Sequence, residues 1–284
     1  METRRGIDIR QPGNPKLYAF SRTDLIAVVV VLALLSLVLL PVLARDTDSP
    51  ERAVCLSNVR RIMAAVAMYA TDNNDLLPHP SWGSDLTGPD NWCYATVNRG
   101  RDPDLPVNAT ADALANCYGR GENSPQFSNQ VRFFKIGQTA RFLESQRGLV
   151  CPTDWRESMS SRRFSYLSRP LKLTSYQMSG TVGGYVGRTG LIASGATFKA
   201  TSFLPTDMLI WEGNEMNGFY FNDAAVNPLQ GGEVASRRHA TANGEGITAV
   251  GRAGATADFV KWRTFNNFLK PPTPNDLLCG PGYQ

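Results

Sequence analysis

The feature that most limits how this chain can fold is a run of 20 uncharged residues, Leu25 to Ala44, in which Ser36 is the lone hydroxyl. At about 1.5 Å of rise per residue a helix of that length reaches about 30 Å, the thickness of a bilayer's hydrocarbon core, so the run can span a membrane. Arg4, Arg5, Arg10, Lys16 and Arg22 precede it, against Glu2, Asp8 and Asp24. Basic residues are retained on the cytoplasmic side of a span, which puts the N-terminus in the cytoplasm and the rest of the chain outside it. No later stretch is comparably apolar. With 42% hydrophobic residues among 284 the chain has material for a core, and a formal charge of +4 gives no footprint for nucleic acid.

Three uses of the run are open. A cleavable secretory signal would take Val42-Leu43-Ala44 as its cleavage site, although signal cores usually have about 7 to 15 apolar residues. A permanent anchor on an extracytoplasmic binding or enzymatic domain that never polymerises is the plainest. The third rests on Ala19-Phe20-Ser21-Arg22-Thr23-Asp24-Leu25, which resembles the processing site of type IV prepilins. That resemblance implies cleavage by prepilin peptidase between Ala19 and Phe20. It makes Asp24 the acid of the fifth mature position and Pro41 the proline these helices commonly carry further on. It also implies that Asp24 neutralises the Phe20 amine of a neighbouring subunit, since a lone charge near hydrocarbon is costly. Ala19 stands where the family has Gly, Asp24 where it has Glu, and Arg22 where it is apolar.

Beyond the run, Ser49-Pro50-Glu51 reads as an N-cap followed by proline in the first helical position. Val54, Cys55, Val59, Ile62, Met63, Val66, Tyr69 and Ala70 then recur at helical spacing and predict an amphipathic helix over 50–70. Asp72-Asn73-Asn74-Asp75 stops it, and Pro78 and Pro80 keep it from resuming. The segments Cys55 to Ile62, Met68 to Pro78 and Leu149-Val150-Cys151-Pro152-Thr153-Asp154 resemble large prepilin-type proteins named for a His-x9-Asp-Gly motif. His239 matches the start of that motif, but Ala249-Val250 stand where Asp-Gly would fall. Either Gly251 to Gly254 replaces the Asp-Gly turn of a hairpin with strands over 247–250 and 255–260, or an insertion separates His239 from Ala257-Asp258.

The resemblance implies an α+β fold: a long N-terminal helix, half transmembrane and half amphipathic, packed on a mainly antiparallel sheet, as in pilins. Residues 1–19 would be a cytoplasmic leader, 20–44 the membrane and filament-core helix, 45–80 the amphipathic helix and its stop, and 81–284 an extracytoplasmic head. The implied function is that of a structural subunit of a type IV pilus-like or type II secretion pseudopilus filament. Its partners would be copies of itself or related pilins, prepilin peptidase, the inner-membrane assembly machinery and membrane lipid.

Five cysteines, at 55, 93, 117, 151 and 279, lie beyond the run. In an oxidising compartment they suggest two disulfides and one leftover thiol. Cys93 with Cys117 would close a local loop. Cys55 with Cys151 is the pairing the resemblance implies, both family positions being cysteine. No Cys-x-x-Cys pair points to zinc. With only His79 and His239 there is little imidazole for catalysis or a multi-histidine metal site, so neither enzyme activity nor a cofactor is expected. His79 reads as a loop residue and His239 as a structural one at a strand edge. Asp72 to Asp75 offers oxygen ligands to calcium, although a helix stop explains the same residues. Residues 81–128, rich in Gly, Asn, Asp and Pro, read as an elaborated surface region. The glycines from 180 to 195 read as a loop, and 208–211 and 218–221 as strands.

Overall fold

The computed structural model describes residues 22–43, 48–159, 164–184, 191–229 and 232–281. Two units are distinguished, Met1–Thr47 and Asp48–Gln284. In the first, a helix α1 (Arg22–Leu43) covers the apolar run almost to its end. Leu25, Ile26, Val28 to Leu32 and Leu35 are exposed along it. Asp24 falls in its first turn and Pro41 in its last, while Ala19 and Phe20 lie outside the described residues.

The second unit is α+β. Its first element, α2 (Asp48–Asp72), begins slightly before the expected cap, yet Pro50 still sits in the first turn, where its missing N–H has no intrahelical acceptor. Further helices are α3 (Ala111–Ala115), α4 (Pro125–Lys135), α5 (Pro152–Asp154), α6 (Phe164–Leu167) and α7 (Trp262–Asn267). The strands are β1 (Tyr176–Ser179), β2 (Met208–Glu212), β3 (Ala225–Val226), β4 (His239–Ala240), β5 (Gly246–Arg252) and β6 (Thr256–Lys261). They form one mixed sheet in the order β3-β1-β2-β5-β4, with β6 pairing with β5. The β1–β3 pairing is parallel and the others are antiparallel. The terminal hairpin is β5–β6, closing at Arg252 opposite Thr256, so Gly254 and its neighbours supply the turn.

Cys55, Val59, Ile62, Met63, Val66 and Ala70 form the buried stripe of α2, recurring every three to four residues so that one face meets the sheet while Arg60 and Arg61 stay exposed. From Pro50 to Asp72, α2 is by length and composition apolar enough to cross a membrane, but 44% of its apolar window is buried, as befits a core helix. Its close approach to β5 depends on Gly251. A Cβ there would lie 2.5 Å from Met63 Cγ, 2.7 Å from Met63 Sδ and 3.0 Å from Val59 Cγ1.

Two expectations are corrected. The region 81–128 is not all surface: Trp92, Cys93, Tyr94 and Ala95 are buried. Local bonds shape the turn, Asn91 Oδ1 accepting from the Cys93 and Tyr94 N–H groups, and a long-range one ties it to the interior, Trp92 Nε1 donating to the Ala224 carbonyl at 3.0 Å. The segment Gly218–Phe221 is a 3-10 turn instead of a strand, because the Asn217 side chain accepts from Phe219 N–H and opens a turn. The tail beyond Pro271, without an expected role, packs Leu277, Leu278 and Cys279 into the interior.

Replacing Gly251 with valine should push α2 off β5 and cost about 1–3 kcal/mol, the usual penalty of overpacking. Denaturant unfolding should show a lower midpoint at unchanged m-value.

Candidate functional site

Four polar side chains from distant parts of the chain meet beneath α2. Cys55 comes from the second turn of α2, Cys151 from the residue before α5, Glu212 from the end of β2 and His239 from the start of β4. All four are fully buried, and their ligand-type atoms lie within 4.8 Å of one another. Helix spacing brings Cys55 to the sheet side of α2. Pairing of β4 with the Ile247 end of β5 places His239 beside the β2 terminus, where Glu212 is opposite Tyr176.

The contacts converge on one nitrogen. His239 Nε2 is 3.1 Å from Glu212 Oε1, 3.3 Å from Cys55 Sγ and 3.4 Å from Cys151 Sγ. The sulfurs are 2.9 Å apart, with Cys55 donating to Cys151. The second oxygen of Glu212 accepts from Ala249 N–H at 2.9 Å, and the His239 ring meets Phe259 edge to face. Burial alone would push the Cys151 thiol up, but the hydrogen bonds from Cys55 and His239 and the charge of Arg238 bring it below the usual thiol range. The hydrogen bond from Cys55 to Cys151, with burial, holds the Cys55 thiol far above that range. For His239 burial opposes the imidazolium, yet Cys151 and Glu212 together hold the proton on the ring. Glu212 stays ionised despite burial because His239 and Arg238 face it.

A charge network adjoins this cluster. Arg169 grips Asp154 with two bonds of 2.9 and 3.1 Å, Ser175 Oγ donates to the same carboxylate at 2.7 Å, and Arg238 Nη1 is 3.4 Å away. Arg169 also lies over the Phe221 ring, 3.9 Å from its centroid. Arg238 reaches Glu215 at 3.3 Å and the Gly213 carbonyl at 3.0 Å. Burial works against the Asp154 carboxylate, but the two guanidinium groups hold it well below the usual range.

Of the residues singled out in the sequence, Cys55, Cys151 and His239 are brought together, and Asp258 is not. Asp258 sits on β6 opposite Val250 and pairs with Arg252 at 3.1 Å on the hairpin's outer face. Of the expected disulfide partners, Cys55 and Cys151 are brought together, their sulfurs 2.9 Å apart against the roughly 2.05 Å of an S–S bond, and all five cysteines are buried. Cys93 and Cys117 are held in separate backbone arrangements, Cys93 in the Asn91 turn and Cys117 with its N–H on the Pro170 carbonyl. His79 is a buried residue whose Nε2 lies 2.8 Å from the Ile192 carbonyl. The Asp72 carboxylate pairs with Arg141 at 2.8 Å, and Asp75 accepts from the Thr201 hydroxyl. Sequence reasoning missed Glu212 and the charge pairing of Arg238. The available signal was a lone acid closing the apolar run Met208-Leu209-Ile210-Trp211, since a charge at the end of a fully buried strand needs partners.

Substituting Asp154 with asparagine leaves Arg169 and Arg238 without their shared counter-charge and should cost about 3–5 kcal/mol at pH 7. A carboxyl depressed by folding stabilises above its unfolded pKa of about 3.9 and loses that contribution as pH falls through its lower folded value. The gap in unfolding midpoint between wild type and variant should therefore narrow below about pH 4. Comparison with protein-family models, with curated proteins and with solved structures finds no match to this chain.

Proposed function

We propose that this chain is a structural subunit of a type IV pilus-like or type II secretion pseudopilus filament, stored in the inner membrane through α1 and assembled with copies of itself or related subunits. The observation that carries the proposal is the continuous helix α1, from Arg22 to Leu43, over an apolar run that begins directly after an acid, Asp24. Further support comes from α2, which presents one apolar stripe to a sheet in the manner expected of a pilin-like head. The N-terminus would be cytoplasmic and the head extracytoplasmic, with prepilin peptidase and the assembly machinery as transient partners. In a filament the Val, Leu and Ala surface of α1 exchanges lipid for identical helices, an exchange driven by packing. Asp24 would pair with the Phe20 amine of the neighbouring subunit. The buried cluster suits a structural role, because four side chains without solvent exposure offer no face to a substrate.

One feature favours a second reading, an anchored domain that binds a ligand without polymerising. A surface cavity of about 260 Å³ is lined by Ser81, Trp82, Phe219, Asp223 and Glu233 among others. Burial, helped by the nearby Glu233 charge, raises Asp223 to about 7.

The mature N-terminus separates these readings. Mass spectrometry of the membrane-extracted protein should find a chain beginning at Phe20, whereas one beginning at Met1 favours the anchored domain. Asp24→Arg should abolish filaments in electron micrographs of sheared surface material while membrane insertion stays intact. Unchanged filaments would remove the role given to Asp24.

A further inference from the structure

We infer that Cys55, Cys151, Glu212 and His239 form a closed, tetrahedral site for one zinc-class divalent cation, a structural metal that fastens α2 to the sheet. The inference does not depend on whether the chain polymerises.

The first ground is the donor count. His239 Nε2 faces Glu212 Oε1, Cys55 Sγ and Cys151 Sγ at 3.1, 3.3 and 3.4 Å. One ring nitrogen carries at most one proton, so it cannot serve three acceptors. A cation among the four atoms satisfies all of them at once. Geometry is the second ground. Zinc bonds of about 2.0–2.3 Å to nitrogen, oxygen and sulfur set tetrahedral ligand atoms about 3.3–3.8 Å apart. The contacts to Nε2 nearly meet that spacing. The sulfurs, 2.9 Å apart, need to separate by less than about 1 Å to take thiolate positions on the metal.

Charge supplies the third ground. Two thiolates and a carboxylate carry three negative charges, a dication returns two, and the field of Arg238, at the next position to His239 and shared with Asp154 and Glu215, favours the negative charge that remains. The metal thereby removes most of the negative charge that burial would otherwise penalise. On loading, the metal–sulfur bonds replace S–H bonds and the displaced protons pass to solvent, with no change of oxidation state. A mixed sulfur, nitrogen and oxygen set of four selects zinc over calcium or magnesium, which take oxygen ligands. Complete burial of all four ligands leaves no open coordination position, so the metal holds the fold and performs no chemistry. Ala249 N–H, bonded to the second Glu212 oxygen, fixes the orientation of the carboxylate ligand.

The test uses the full chain in detergent, purified without chelator from zinc-supplemented cells. Elemental analysis should give about one zinc per chain. Exchange into cobalt should produce the intense thiolate-to-cobalt band and the visible bands of a tetrahedral centre. Glu212→Gln, which keeps the side chain's shape, should weaken zinc binding roughly tenfold or more, and Cys55→Ser should abolish the charge-transfer band. Cys279→Ser, at a buried thiol outside the cluster, should leave stoichiometry and spectrum unchanged. A wild-type cobalt spectrum without thiolate charge transfer overturns the proposal. So does equal zinc binding by Glu212→Gln, or non-reducing peptide mapping that finds Cys55 joined to Cys151 in protein from its native compartment.

Discussion

The folded unit depends on how closely α2 lies on β5 and β6. Helix spacing gives α2 a stripe from Cys55 to Ala70, and Gly251 removes the side chain that would hold that stripe away from the sheet. Close approach excludes water from the interface, and every polar group caught there must find a partner inside the protein. Asn58 illustrates the rule: it is buried in the stripe and donates to the Val150 carbonyl at 3.1 Å. The same contact brings Cys55 down onto Cys151, Glu212 and His239. Position on the helix, geometry of the sheet and polarity of the cluster are therefore one constraint viewed at three levels.

Adjoining this contact is a second layer of buried charge. Arg169, Asp154, Arg238 and Glu215 alternate in sign and join the Cys151 loop to β2 and to the segment entering β4. Buried ion pairs of this kind gain little net stability over well-packed apolar residues, but removing one member is costly. Their effect is to penalise alternative arrangements of loops that share no hydrophobic strand. Short strands such as β3 and β4, two residues each, have few ladder bonds with which to choose a register, so polar partners specify their position.

For the filament subunit proposed above, this division of labour would be apt. The proposed anchor, α1, needs only an apolar surface that tolerates either lipid or identical helices. On that reading the head would keep its shape through extraction and assembly, and a network of paired buried charges would resist partial opening. Burial also protects Cys93, Cys117 and Cys279, whose thiols it pushes up, since oxidation follows exposure and thiolate character.

Much of this was legible in the chain as written. The apolar run before Arg45, the stripe of α2 with its stop at Asp72, and the β5–β6 hairpin follow from short-range periodicity and turn chemistry, which act within a few residues. Cys55, Cys151 and His239 could be singled out by residue type, and Asp258 by motif position, yet only the first three converge. Glu212 and the charge pairing of Arg238 were illegible because the partners lie at separations set by the order of the sheet. Tertiary structure likewise turned residues 91–95 from a polar-looking loop into core, through hydrogen bonds to Ala224 and Thr139 that no local rule anticipates. The sequence by itself determined where α1, α2 and the β5–β6 hairpin form, because those signals are local. Which four polar side chains share one dry point under α2 was decided only by tertiary structure, because burial and proximity belong to the packed chain.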